Sequence, residues 1–163
     1  MEALFQHLYK TAEIEQLAGG DINQVFKVTH KDGVSVVKVK AKDDFPLMFE
    51  KEANGLRVLN STFKTPEVLN TDSNKNWQFL ELEYLPDLVK NDEFWVKFAQ
   101  KLANTHQKTQ KRFGFEEDNF IGSLVQVNTE KANWKTFLIE QRLQPMIEVA
   151  VNAGEVNYVE GKI

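Results

Sequence analysis

The stretch Val34-Ser35-Val36-Val37-Lys38-Val39-Lys40, read together with Met48-Phe49-Glu50-Lys51-Glu52-Ala53, decides the fold of this chain. Residues 34 to 40 are apolar on both faces, the pattern of an interior strand. Pro46 suits a first helical turn and predicts a helix from there to about Asn60. Its inward stripe is Met48, Glu52, Leu56 and Leu59, at i, i+4, i+8 and i+11. Lys38 therefore lies in a buried strand, and Glu52 points with the apolar residues of the next helix. Leaving one such charge buried alone costs about 3–5 kcal/mol, whereas the two as a pair are tolerated. Lys40 reads as a strand-end lysine reaching solvent, so replacing Lys38 is expected to matter far more than replacing Lys40.

The surrounding sequence supplies a sheet for this strand. Residues 3 to 11 read as a short amphipathic helix carrying Leu4, Phe5 and Leu8. Gly19-Gly20-Asp21 marks a turn, and Gln24 to Thr29 a strand. Lys31-Asp32-Gly33 reads as a hairpin turn, because Asp-Gly suits positive φ angles. Pro66 to Leu69 and Trp77 to Tyr84 are two more strands, with a polar turn from Thr71 to Asn76. Pro86-Asp87 ends the sheet. Beyond it, Asn91 or Asp92 caps a helix reaching His106, with Trp95, Phe98, Leu102 and His106 along one side. A loop from Phe113 to Asn128 follows. Asn133 caps a last helix that Pro145 interrupts. Trp95, Phe98, Trp134 and Phe137 are expected in the core, and His106 as a packed histidine rather than a base. The fold class is α+β: a strand-rich part over residues 1–86, then a helical part over 87–163.

Bulk properties narrow the partners. The chain has 163 residues, 42% hydrophobic and 27% charged, with a net charge of -4. That charge gathers neither nucleic acid nor an anionic membrane. Cysteine is absent, which removes disulfides and thiolate metal sites. No basic leader is present, and no segment nears the roughly 18 apolar residues of a membrane helix. A cytoplasmic protein is expected.

Three features carry chemistry. The turn Gly19-Gly20-Asp21-Ile22-Asn23 lets backbone N–H groups approach a phosphate, although a glycine pair alone is more often just a turn. Lys38 offers a point charge to phosphates, with Glu52 orienting it. Glu83-Tyr84-Leu85-Pro86 runs into the boundary between the two parts, where backbone groups can meet an adenine edge and Tyr84 can cover the ring. A strand lysine paired with a helix glutamate after a glycine turn resembles the protein-kinase-like arrangement for holding ATP.

The resemblance becomes specific in longer strings. Gly19-Gly20-Asp21-Ile22-Asn23, Val36-Val37-Lys38-Val39 and Phe49 to Leu56 resemble the fructosamine kinase family. So do Phe79 to Pro86 and Leu102-Ala103-Asn104-Thr105-His106. Phe113-Gly114-Phe115-Glu116-Glu117-Asp118-Asn119-Phe120-Ile121-Gly122-Ser123 is the most diagnostic, followed by Gln126-Val127-Asn128, Trp134 to Phe137 and Arg142-Leu143. The resemblance implies a protein-kinase-like bilobal fold and an ATP- and Mg2+-dependent kinase. Its substrates would be small-molecule or protein-bound ketoamines, phosphorylated on a sugar hydroxyl as a step of deglycation. It implies that Gly19, Gly20, Asp21, Ile22 and Asn23 cover the phosphates, that Lys38 binds them, and that Glu52 orients Lys38. It makes Glu83, Tyr84, Leu85 and Pro86 the adenine hinge. Phe115, Asn119, Gln126 and Asn128 would face the sugar-amine.

One part of the family pattern does not occur. The family carries a catalytic His-Gly-Asp-Leu-Trp segment, a nearby Asn, and an Ile-Asp-Pro segment that hold the base and the magnesium. The nearest string here, His30-Lys31-Asp32, falls in a hairpin turn. The expectation is a chain resembling the N-terminal part of such a kinase, with no catalytic or metal residue among its 163 and no phosphoryl transfer of its own. The alternatives are a non-catalytic nucleotide-binding module or a small-molecule kinase with another hydroxyl acceptor.

Overall fold

The computed structural model describes residues 2–18, 22–42 and 45–155. Two compact units form, Met1–Lys108 and Thr109–Ile163. The Gly19-Gly20-Asp21 turn and the closing residues 156–163 lie outside the described residues.

The first unit is built on a five-stranded antiparallel sheet in the order β1-β2-β3-β5-β4. Its strands are β1 (Ala12–Gln16), β2 (Gln24–His30), β3 (Gly33–Ala41), β4 (Val68–Ser73) and β5 (Trp77–Glu83). β3 is central, as its two-sided apolar pattern predicts. Period-two alternation gives the sheet two different faces. On one, Phe26, Val28, Val37, Val39 and Phe79 bury against Leu4 and Phe5 of helix α1 (Glu2–Leu8). Phe5 meets Phe26 edge-on at 5.0 Å. The other face carries Lys38, Lys40, Gln78, Leu80 and Leu82, beside helix α2 (Met48–Asn60).

Several boundaries differ from expectation for identifiable reasons. β1 was not anticipated: Ala-Glu-Ile-Glu-Gln is charged and largely exposed, the dress of an edge strand. The hairpin between β2 and β3 forms with His30 opposite Gly33. Only Gly33 takes positive φ there (147°), so the turn does not use the paired positive angles expected of Asp-Gly. α2 starts at Met48, not Pro46, because Phe45 and Leu47 adopt left-handed φ of 54° and 63° and break the helical run. Such residues cost about 1–3 kcal/mol each and persist only where neighbours hold them. The buried side of α2 is Met48, Phe49 and Ala53, while Leu59 is exposed. Glu52 sits at the margin of that face. β4 runs on to Ser73, into the expected turn. The turn itself is closed by Asn74 Oδ1, which accepts from the backbone N–H of Asn76 and of Trp77, each at 2.9 Å.

Helix α3 (Asp92–His106) completes the first unit, its N-terminus capped by Asn91 Oδ1 accepting from Phe94 N at 2.9 Å. None of its residues is buried. Trp95 and Phe98 are therefore not core residues. Phe98 stacks on Phe94 and meets Phe63 edge-on at 5.4 Å, while Trp95 meets Phe94 edge-on. His106 is exposed, not the packed histidine expected, because the helix stripe it shares with Leu102 and Phe98 is not buried.

In the second unit the expected loop contains a hairpin of β6 (Asn119–Ile121) and β7 (Leu124–Gln126). Gly122 supplies the positive φ of 62° for its tight turn. Phe113 and Lys131 exchange both backbone hydrogen bonds and close the loop. Helix α4 (Trp134–Leu138) is capped by Asn133, whose Oδ1 accepts from Thr136 N. Phe137 is buried, but Trp134 is 53% exposed and stacks on Phe137 instead of entering the core. A π-helical turn (Ile139–Leu143) leads into α5 (Gln144–Asn152). Pro145 does not end the helical path; it lies in the first turn of α5. Its absent N–H leaves the Gln141 carbonyl without an i+4 donor, and Arg142 Nη1 donates to that carbonyl at 2.8 Å.

Gly114 is the tightest point of this unit. Its φ is 153°, and a Cβ added there would lie 2.6 Å from the Asn128 carbonyl oxygen. Gly114→Ala is expected to destabilise the second unit by about 3 kcal/mol, measured by denaturant unfolding. An unchanged midpoint would show that this approach is not needed.

Candidate nucleotide and substrate sites

The α2 face of the sheet carries the first site. Lys38 Nζ donates to both carboxylate oxygens of Glu52, at 2.7 and 2.8 Å. The two side chains keep 22% and 31% exposure. The pair is thus formed but open to a ligand on one side, as a phosphate cation must be. Lys38 stands opposite Val25 and next along its own face to Val36, and Val36 stands opposite both Lys27 and Leu82. Tyr84 follows Leu82 on the same alternation. Its ring lies under Lys27 Nζ, 5.0 Å from the centroid. One face therefore reads, in order, cation, a partly exposed apolar floor of Val25 and Val36, then an aromatic ring.

At its end, β5 closes with Glu83, whose carboxylate is already engaged. Oε2 accepts from Lys64 Nζ and from Glu67 N, and Glu67 O accepts from Glu83 N at 2.8 Å. The Lys64 hydrogen bond holds the Glu83 carboxyl below the usual carboxylate range. A lowered folded-state pKa stabilises the fold above the unfolded value and loses that contribution as pH falls. Lys64→Met is expected to move the Glu83 titration upward, read by carboxyl NMR; an unmoved titration would remove Lys64 as the cause. Leu85 and Pro86 are exposed. Of the expected phosphate turn, Ile22 and Asn23 are described: Ile22 O accepts from Lys40 Nζ, and Asn23 Oδ1 is buried with no partner among the described residues.

The second unit gathers the four expected substrate residues into one loop system. Asn119 pairs with Gln126 across the hairpin, and Asn128 Nδ2 donates to Asn119 Oδ1 and to Glu117 O, both at 3.0 Å. Phe115 and Asn128 line a pocket of about 400 Å³ together with Glu117, Asp118 and Glu130. Asn128 is 3% exposed, and Arg142 Nη2 donates to its Oδ1. Its amide is fully used inside the loop.

A family model for fructosamine kinase matches residues 1–162. The chain belongs to the fructosamine kinase family. A probable ketoamine kinase of Vibrio parahaemolyticus is 38% identical over 151 residues, covering 90% of this chain and 52% of that protein. One from Vibrio cholerae is 36% identical over 158 residues, covering 91% of the chain and 54% of the relative. Among solved structures, a putative fructosamine-3-kinase from Thermobifida fusca superposes with a TM-score of 0.75 at 28% identity, over 90% of this chain and 51% of that one. Another, from Haemophilus somnus, gives a TM-score of 0.81 at 24% identity, over 94% and 54%, a likeness of fold. The chain spans about half the length of the curated relatives it matches.

Two residues of this fructosamine kinase family member were misread or passed over. Lys40 does not reach solvent; it is 8% exposed, bonded to Ile22 O at 2.9 Å and set over the Phe45 ring at 4.7 Å. The signal was available: Lys40 shares a strand face with Lys38 in a strand read as interior. Arg142 was noted as part of a string that resembles the family and was given no role, yet it braces the loop through Val127 O and Asn128 and sits on the Phe137 ring. Burial pushes its guanidinium pKa down from the ordinary arginine value. Among the described residues no three His, Cys, Asp or Glu side chains gather as a metal site, and no helix is long and apolar enough to cross a membrane.

Proposed function

We propose that this chain provides the ATP-binding part of a kinase that phosphorylates a sugar hydroxyl of ketoamines, a deglycation step. The observation that carries it is the bidentate Lys38–Glu52 pair at one end of a face whose other end is Tyr84. Lys38 would bridge phosphates, Glu52 would hold its ammonium in place, and residues 19–23 would close over them. Residues 83–86 would meet the adenine. The nucleotide lobe would span 1–86, with 87–163 opening a helical lobe. The loop from Phe115 to Asn128 would face the sugar-amine, with Asn128 shaping it from within. Magnesium would neutralise phosphate charge during transfer; with no His-Gly-Asp-Leu-Trp or Ile-Asp-Pro string in the sequence, the 163 residues are proposed to bind ATP without transferring phosphate. The cytoplasm, where ATP is abundant, is the proposed setting.

Thermal melting across millimolar ATP tests the nucleotide half, with a rise in midpoint expected. NMR titration with a fructose-lysine adduct, an aminoglycoside and choline tests the acceptor. Shifts at Asn119 and Gln126 with the ketoamine alone are expected. A constant melting midpoint, or equal shifts with all three, would contradict the respective half.

A further inference from the structure

Lys40 is a buried cation that the proposed chemistry leaves unused. Burial of an ammonium is costly unless its surroundings return the hydration it loses. Its described contacts join two different loops. Nζ donates to Ile22 O at 2.9 Å, on the first described residue after the glycine turn. The same ammonium lies 4.7 Å from the Phe45 ring, in the segment between β3 and α2. Phe45 is one of two left-handed residues there, and its carbonyl accepts from the buried Gln78 Nε2 at 3.3 Å. Gln78 stands directly opposite Lys40 in the sheet. The end of the glycine turn and the entrance to α2 are thereby fixed to the same two strand positions. α2 carries Glu52, and Lys38 lies two residues before Lys40 on the same strand face.

We propose that Lys40 is a positioning residue for the nucleotide site: it ties the backbone at Ile22 to the segment at Phe45 that enters α2, so that the Ile22–Asn23 backbone and the Lys38–Glu52 pair are set as one unit. This rests on the nucleotide reading above. Lys40 does not touch the phosphates. It sets where the Ile22–Asn23 backbone stands beside them, so its effect must grow with the number of phosphates.

The test compares the 163-residue chain with Lys40→Met and Lys40→Gln, by calorimetric titration with ATP and AMP and by amide exchange at residues 22–24. Lys40→Met is expected to weaken ATP about tenfold, leave AMP unchanged, and speed exchange at residues 22–24. Lys40→Gln keeps a donor for Ile22 O and is expected to fall between the two, which keeps the test decisive if the methionine variant does not fold. Equal losses for ATP and AMP would reduce Lys40 to a structural residue and overturn the proposal, as would unchanged exchange. Wild-type binding with no change in either variant would overturn the role of Lys40 alone. No ATP binding by the wild-type chain would overturn the nucleotide reading and this inference with it, while the exchange data would still show whether Lys40 holds the turn.

Discussion

Lys38→Met is expected to weaken ATP binding about a hundredfold, or roughly 2.8 kcal/mol. A charge-assisted hydrogen bond is worth about 1.5–3 kcal/mol, and in the proposed site Lys38 would offer its ammonium to phosphates from a fixed position. That position comes from Glu52, which accepts two hydrogen bonds from the one ammonium. Glu52→Gln keeps one acceptor and the shape, and is expected to cost less, about tenfold. The methionine variant also leaves Glu52 unpaired. Because Glu52 remains 31% exposed, water rehydrates it and the fold survives. The loss in affinity should therefore far exceed any loss in stability. Equal ATP affinity for wild type and Lys38→Met, by titration calorimetry, would remove Lys38 from the site.

Phe49→Ala is expected to give the largest stability loss, about 3–5 kcal/mol. Phe49 is fully buried in α2, next to Met48 and within a turn of Ala53. Truncation leaves a ring-sized void in a close-packed layer. Lys38 Nζ lies 6.0 Å from the same ring, so the variant should also loosen the ion pair and weaken ATP. Denaturant unfolding of the first unit measures the first effect. A midpoint within error of wild type would mean that α2 does not rest on Phe49.

The sheet was legible because its signals are local: β-branched residues, period-two alternation and turn residues at both ends of each hairpin. Lys38 and Glu52 were legible because their neighbours demand burial that the charges resist. What escaped depended on tertiary context. β1 has the composition of a surface segment, and only pairing with β2 makes it a strand. The left-handed Phe45 and Leu47 have no sequence signal, since neither is glycine or asparagine. Trp95 and Trp134 look like core residues by chemistry alone, but within their own units they lie against other aromatics and stay exposed. Asn128 was expected to face the sugar-amine; its environment, Arg142 and the Glu117 carbonyl, comes from residues 14 and 11 positions away.

The most direct measurement is an ATP titration of the isotopically labelled chain followed by NMR. The account predicts saturable shifts along one face, at Val25, Val36, Lys38 and Tyr84, with Val37 and Val39 on the opposite face unmoved. Shifts that fail to saturate, or that map to the α1 face, would contradict it.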